Sequence, residues 1–321
     1  MNDIPHHDTA LDVVTFGEAM LMLVADECGP LEQVQHFHKR TAGAETNVAI
    51  GLSRLGHRVG WGSRLGADSM GRYLLAEMTR EGLDCSHVEV AAGERSGFQF
   101  KGRVDDGSDP PVEYHRAGSA ASRMGLQHLD EAWLRGARQL HVTGVFAALS
   151  ASTLALARRA IAVMREASKP ISFDPNLRPT LWASQDVMRD TLNALAVQAD
   201  LVLPGIEEGF ILTGTRDPQG IARFYRGQGV RTVVVKLGAE GAYYDDADEG
   251  TGQVAAFPVA RVVDTVGAGD GFAVGVISAR LEGRSVADAA RRGAWIGARA
   301  VQVTGDTEGL PTRAQLLEAG L

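Results

Sequence analysis

The stretch LHVTGVFAALSASTLALARRAIAVMREASKPISFD, Leu140 to Asp174, reads as one unit. A short apolar run at Leu140 to Thr143 is followed by helical periodicity over Ser152 to Ala167, and a second apolar run closes it at Ile171 to Asp174. Strand, helix and strand in that order make a βαβ crossover, which joins parallel neighbours and leaves both faces of a sheet to be covered by helices. The pattern continues outward in both directions. Upstream, Val13 to Phe16 and Val59 to Ser63 predict strands, with helices over Ala44 to Leu55 and Gly71 to Glu81. Downstream, Leu201 to Leu203 and Thr232 to Lys236 predict strands, with helices over Gln185 to Gln198 and Gly220 to Gly227. The fold class is therefore α/β, a mostly parallel central sheet flanked by helices.

One region breaks this rhythm. From Gly97 to Tyr114, FQFKGRV and VEYHR alternate with period two around DDGSDPP, which predicts a hairpin with no helix attached. Together with Met20 to Val24 and the segment near Val34 to Phe37, it predicts a small antiparallel sheet, either a lid or an edge hairpin. The apolar alternation of these segments would leave a sheet face exposed, and predicts a homodimer.

The 321 residues are 45% hydrophobic and 22% charged, an ordinary globular composition with room for one substantial core. With 32 Lys+Arg against 40 Asp+Glu, the net charge of -8 supplies no basic field for nucleic acid. Only Lys39, Lys101, Lys169 and Lys236 are lysines, so anion handling must lean on arginine and backbone. Cys28 and Cys85 have no metal-ligand spacing, which fits free thiols in a reducing compartment. The first residues lack a signal-peptide pattern and no apolar run is long enough for a membrane span, so a cytoplasmic location is expected. His6, His7 and Asp8 form a trio of metal-ligating types, but in an unanchored tail they read as tail.

The chemistry concentrates after RVVDT, where Val266-Gly-Ala-Gly-Asp-Gly-Phe-Ala-Val-Gly275 opens a glycine-rich turn directly into an apolar helix. Backbone N–H groups of small residues at a helix N-terminus form an anion site. Asp270 is then either a helix-start acid or a base aimed at a hydroxyl beside that site. A dinucleotide fingerprint would need glycine where Phe272 stands, and no lysine sits in a P-loop context.

Asp264 to Gly275, DTVGAGDGFAVG, resembles the C-terminal signature of the ribokinase-like (PfkB) family of carbohydrate kinases. Ala42 to Ala49, AGAETNVA, followed by Leu55-Gly56 and by Gly66, Asp68 and Gly71, resembles its N-terminal signature. The likeness runs from about residue 12 to 313, and implies a ribokinase-like kinase domain over 12–313 with a lid from about 20–37 and 97–116 inserted in it. It also implies ATP-dependent phosphorylation of a sugar hydroxyl. Asp270 would be the base, and the N–H groups of Gly267, Ala268, Gly269 and Asp270 would stabilise the transferred phosphoryl. Gly43 and Asn47 would hold sugar hydroxyls. Arg178, in Phe173 to Arg178 (FDPNLR), would meet a substrate carboxylate or the ATP phosphates. Lys236, Gly238 and Gly241 would lie on the nucleotide side, with Ala294 at an apolar adenine contact. Asp264 would shape the turn or help hold a monovalent cation such as K+. Glu207 would serve Mg2+ through water, although Pro204 stands where the family commonly has asparagine.

Within that family, Gly43 to Asn47, Val112 to Ser122, Leu140 to Gly144 and Gln302 to Pro311 resemble the 2-keto-3-deoxygluconate kinase branch. By that likeness Tyr114 and Arg116 would meet a sugar acid, with Gln99 where a second lid tyrosine is expected. Two arginines converging on one site, Arg116 and Arg178, would be costly without an anion, and an acidic sugar supplies it. A neutral ketose such as fructose or tagatose is the alternative enzyme substrate. Pro204 and Ala294 also admit a sugar-responsive binding protein that turns over weakly.

Overall fold

The computed structural model describes residues 10–104 and 110–321. The trio at His6 to Asp8 and part of the DDGSDPP turn lie outside the described residues. The strands in chain order are β1 (Val13–Phe16), β2 (Met20–Ala25), β3 (Phe37–Ala42), β4 (Val59–Gly66), β5 (Val88–Ala91), β6 (Phe98–Lys101) and β7 (Val112–His115). They continue with β8 (Gln139–Thr143), β9 (Ile171–Asp174), β10 (Leu201–Val202), β11 (Thr232–Lys236), β12 (Ala242–Asp246) and β13 (Gly250–Val254).

Nine of these strands form the main sheet in the order β13-β12-β11-β10-β9-β8-β1-β4-β5. It is parallel from β11 across to β5, and each βαβ crossover expected from the sequence is present. Consecutive residues of a strand face opposite sides, and both sides are apolar here. Val14, Leu140, Phe173 and Val233 pack under helices Ala151–Glu166, Gln185–Ala196 and Pro218–Arg226. Val13, Val59, Trp61 and Val234 pack under Ala44–Arg54, Ala268–Leu281 and Val286–Ala300. Covering both faces is what permits continuous apolar strands. Serine and aspartate start several of these helices, as Ser150, Ser184, Asp217 and Ser285 each accept a first-turn N–H.

The antiparallel hairpin β12–β13 at one edge was not expected from the sequence. Its outer strand, GTGQV, is largely exposed and has no apolar alternation to announce it.

The hairpin of β6 and β7 joins β2 and β3 in a separate four-stranded sheet, order β3-β2-β6-β7. Its outer pairs are antiparallel and the central pair β2–β6 is parallel. The segment expected near Val34 to Phe37 pairs later, from Phe37 to Ala42, because a 3-10 turn at Leu31–Gln33 delays the strand. Phe98 and Phe100 point to one face of β6, while Gln99 and Lys101 are buried on the other. Among the described residues, no helix is long and apolar enough to cross a membrane.

Candidate active site

Ligands of open α/β sheets collect beyond the carboxyl ends of the strands. Here Asp174 ends β9, Lys236 ends β11, and the helix Ala268–Leu281 begins between them and the smaller sheet. Two cavities meet at that point. One of about 420 Å³ lies under the smaller sheet and is lined by Gly43, Asn47, Gln99, Tyr114, Arg116, Arg178 and Asp270, all expected on the sugar side. The other, of about 710 Å³, is lined by Lys236, Gly238, Gly241 and Ala294, all expected on the nucleotide side. Lys236, Thr265 and Gly269 line both, so the glycine-rich turn sits on the boundary where a phosphoryl group would pass.

Gly267 caps the helix at φ +83°, and a Cβ there would lie 2.7 Å from the carbonyl oxygen of Asp306. Only glycine fits that bend. Of the first-turn N–H groups that follow, that of Ala268 donates to the Thr265 carbonyl at 3.3 Å, while those of Gly269 and Asp270 precede any helical carbonyl they could reach within the helix, which leaves this end suited to an anion. Gly43 is similarly constrained, with φ +148° and a Cβ position 2.3 Å from the Glu18 carbonyl. It starts the helix that carries Asn47.

Asp270 is buried in this first turn. Its carboxylate accepts hydrogen bonds from Asn47 Nδ2 at 2.7 Å and from Asn176 Nδ2 at 3.0 Å. Burial pushes the Asp270 carboxyl up to about 8, against the Asn47 hydrogen bond, which favours the ionised form; Asp174 adds to the rise. A carboxyl with that value would suit a base working near neutral pH, and its burial sets it apart from a solvated helix-start acid. Asn176 reaches it from a left-handed backbone conformation, φ +40°, uncommon for a residue other than glycine. Asn47 Oδ1 is buried without a partner and lines the sugar cavity, a ready acceptor for a hydroxyl.

On the wall formed by the smaller sheet, Gln99 pairs in register with Tyr114. Arg116 follows, but it does not stand free. Its Nε and Nη2 lie 2.7 and 2.6 Å from Glu18 Oε2, and Ser119 donates to the other oxygen of Glu18. The expectation of two uncompensated arginines is thus corrected. Arg116 carries its own counter-ion, whereas Arg178 donates to the Leu177 carbonyl and has no ion-pair partner among the described residues.

Lys236 is held by both oxygens of Asp174, at 3.0 and 2.9 Å, and this contact with a second acid at Glu208 keeps its ammonium charged despite burial. Ala294 lines an apolar slot with Phe257, Val259, Phe272 and Val301. Glu207, by contrast, is not brought to the cleft. It is exposed and bound to Arg216 at 2.9 Å, on the outer side of its helix. The acid at the cleft is its neighbour Glu208, which accepts N–H bonds from Gly205 and Leu177 and lies 3.8 Å from Lys236. A hundred-degree turn per helical residue separates the two. Among the described residues no cluster of three or more His, Cys, Asp or Glu is disposed to cage a metal. Glu208, which lines the first cavity beside Lys236, would fit Mg2+, an ion that keeps its waters and takes few protein ligands.

Asp264 is buried and does shape the turn, accepting N–H bonds from Val266 and Gly305 at 3.1 and 3.2 Å. Its cation partner comes from the protein itself. Lys101 Nζ lies 2.5 Å from Asp264 and 3.4 Å from Asp306. These residues do not fit a resident potassium ion, since an ammonium already occupies the approach to both carboxylates. Sequence reasoning missed Lys101, Glu18, Asn176, Glu208 and Asp306. For Lys101 a signal existed: it shares the parity of Gln99 along β6, the face turned toward the site.

The chain matches the model of the pfkB family carbohydrate kinases over residues 10–313. It is 49% identical to a 2-dehydro-3-deoxygluconokinase of Bacillus subtilis (strain 168), covering 95% of this chain and 94% of that one. A crystal structure of a PfkB protein from Polaromonas sp. JS666 superposes with a TM-score of 0.89 at 65% identity, covering 96% of this chain and 99% of the other. A fructokinase from Vibrio cholerae O395, solved with fructose, ADP and calcium ion bound, superposes with a TM-score of 0.84 at 28% identity over 97% and 99% of the two chains.

Proposed function

The chain belongs to the pfkB family of carbohydrate kinases, and on that premise we propose that it phosphorylates the 6-hydroxyl of 2-keto-3-deoxygluconate (2-dehydro-3-deoxygluconate) at the expense of ATP. The observation that carries the sugar-acid reading is Arg178. Of the cations lining the sugar cavity, Arg116 is held by Glu18 and Lys236 by Asp174, and Arg178 alone has no carboxylate at ion-pair distance among the described residues. A guanidinium in a cleft is stabilised by a planar anion, which a sugar acid brings.

In this reading Asp270 takes the proton of the sugar hydroxyl. The oxygen then bonds to the γ-phosphorus, the bond to the β,γ-bridging oxygen breaks, and ADP leaves with that electron pair. The N–H groups of Gly267 to Asp270 and the Lys236 ammonium face the charge that develops on the phosphoryl oxygens. Glu208 would hold Mg2+ through water, and the ion would neutralise phosphate charge when bound with ATP. The apolar slot around Ala294 suits adenine. The smaller sheet, from segments 20–42 and 97–116, acts as a lid on the 12–313 kinase domain. A ring cluster on its other face, Phe37, Phe98, Phe100 and His115, supports a homodimer joined through the lids, which sedimentation as a monomer at micromolar concentration would refute. Free Cys28 and Cys85 support a reducing, cytoplasmic setting.

ADP release on a panel of sugar acids and ketoses tests the substrate. The acid is expected to exceed fructose and tagatose in kcat/KM. Arg178→Ala is expected to raise KM for the acid roughly 10- to 100-fold, the worth of one charged hydrogen-bonded pair, and to change a ketose less. A neutral ketose is the second reading, favoured by the Glu18–Arg116 pair, which leaves the lid wall without net charge. Good turnover of fructose with none of the acid would establish it.

A further inference from the structure

We propose that the ammonium of Lys101 is a built-in counter-ion for the phosphoryl-transfer turn, a positioning residue that makes the reaction independent of monovalent cations. The proposal rests on reading Gly267 to Asp270 as the anion site of a kinase. Lys101 ends β6 of the smaller sheet with no exposed surface, and its side chain crosses to the main body to reach Asp264 and Asp306, themselves buried.

Each of the two carboxylates is tied to the catalytic turn by a separate route. Asp264 accepts the N–H of Val266, the residue before Gly267, and so fixes the direction in which the chain enters the turn. The backbone of Asp306 packs where a Gly267 side chain would begin, and its carboxylate receives Asn47 Nδ2 at 3.5 Å, the same amide that donates to Asp270. One ammonium thereby holds together the turn, the base and the amide that orients the base.

Electrostatics make the same demand. Two buried carboxylates beside a site that must accept the negative charge of a phosphoryl group would repel it strongly in a low-dielectric interior. A fixed positive charge behind the turn offsets that repulsion and needs no reorganisation during the reaction. A free cation at Asp264 would have to enter against an ammonium only 2.5 Å from the same carboxylate. The lysine also differs from a diffusible ion in coming from the lid sheet, so the strand carrying Gln99 is anchored to the turn that carries Asp270.

The test begins with the unaltered protein, exchanged into tetramethylammonium salt and titrated with K+. Turnover is expected to change less than threefold; any larger activation overturns the proposal. Lys101→Ala opens a cavity beside two carboxylates, and is expected to lose roughly 100-fold in kcat, the scale of one lost oxyanion contact. KM for sugar and ATP should stay within threefold. K+ is expected to restore part of that kcat, while tetramethylammonium restores none. A second readout needs no turnover: without substrates, K+ should raise the melting temperature of Lys101→Ala and leave the unaltered protein unmoved. Should K+ recover neither turnover nor melting in the variant, Lys101 is a structural strut and the proposal fails. If the variant does not fold, the titration of the unaltered protein still decides. Because the melting arm uses no sugar, it stands whichever sugar is the substrate.

Discussion

Asp264 and Asp270 lie at the two ends of one glycine-rich turn, both buried, and the protein treats them in opposite ways. Asp264 is given a full positive charge, the ammonium of Lys101, and two backbone donors. Asp270 accepts hydrogen bonds from the neutral amides of Asn47 and Asn176, the charges of Arg178 and Lys236 act on it without an ion-pair contact, and burial pushes its carboxyl up to about 8. Amides orient a carboxylate without cancelling its charge, so it remains able to take a proton. An ion pair does cancel it, and the result is a fixed anchor. Identical side chains in the same turn are thus set in different environments by the partners each is given, which suits Asp270 to the proposed chemistry and Asp264 to support.

The largest effect should come from removing the proton acceptor. Asp270→Asn is expected to lower kcat by about 10²- to 10⁴-fold, the range for a general base, with the sugar still shifting the melting temperature. The same substitution should stabilise the fold in a pH-dependent way. Folded Asp270 holds a proton up to about pH 8, whereas the unfolded chain releases it near the ordinary carboxyl value of 3.8. Between those values the native state binds more protons, so its stability falls as pH rises. The gain in melting temperature on Asp270→Asn should therefore be small at pH 5 and largest at pH 8 and above. A constant difference across that range would refute the assignment of the raised value to Asp270.

Asp264→Asn should do the reverse, losing stability first. It strands the buried Lys101 with only the longer contact to Asp306, and breaking one side of a buried pair costs about 3–5 kcal/mol. Denaturant unfolding at pH 7 would measure it. A variant as stable as the parent would erase the distinction between the two aspartates.

Much of this division was already visible along the chain, and the exceptions have physical causes. The crossovers were legible because runs such as Thr232 to Lys236 are β-branched and buried on both faces. Asp270 was legible because its turn is local: glycines, helix start and acid are contiguous. Partners drawn from distant segments were not. Glu18 neutralises Arg116 across the start of the smaller sheet, and Lys101 reaches Asp264, far along the chain, from the end of a strand in that sheet. Glu207 and Glu208 are adjacent, so counting from Pro204 chose the one facing solvent. Counting from the helix cap at Gly205 leads instead to Glu208, whose side chain returns to the cap N–H. Asn176 is recognisable only from its backbone, since nothing in FDPNLR says that this asparagine adopts a positive φ.

The smallest effect sharpens the role of the amides. Asn176 Nδ2 donates to the carboxylate oxygen of Asp270 that Asn47 does not reach. A donor to the ionised form lowers a carboxyl's value, so its removal should raise it further. The unaltered enzyme is expected to show kcat/KM rising tenfold per pH unit and levelling near pH 8, where Asp270 loses its proton. In Asn176→Ala that inflection should move upward by about one unit, the lower end of what a hydrogen bond to a charged group is worth, with the plateau little changed. A lower plateau at an unmoved inflection would mean that Asn176 aims the base without tuning it. An inflection unmoved in both Asn176→Ala and Asn47→Ala would assign the titration to a group other than Asp270, and the contrast with Asp264 would then rest on geometry alone.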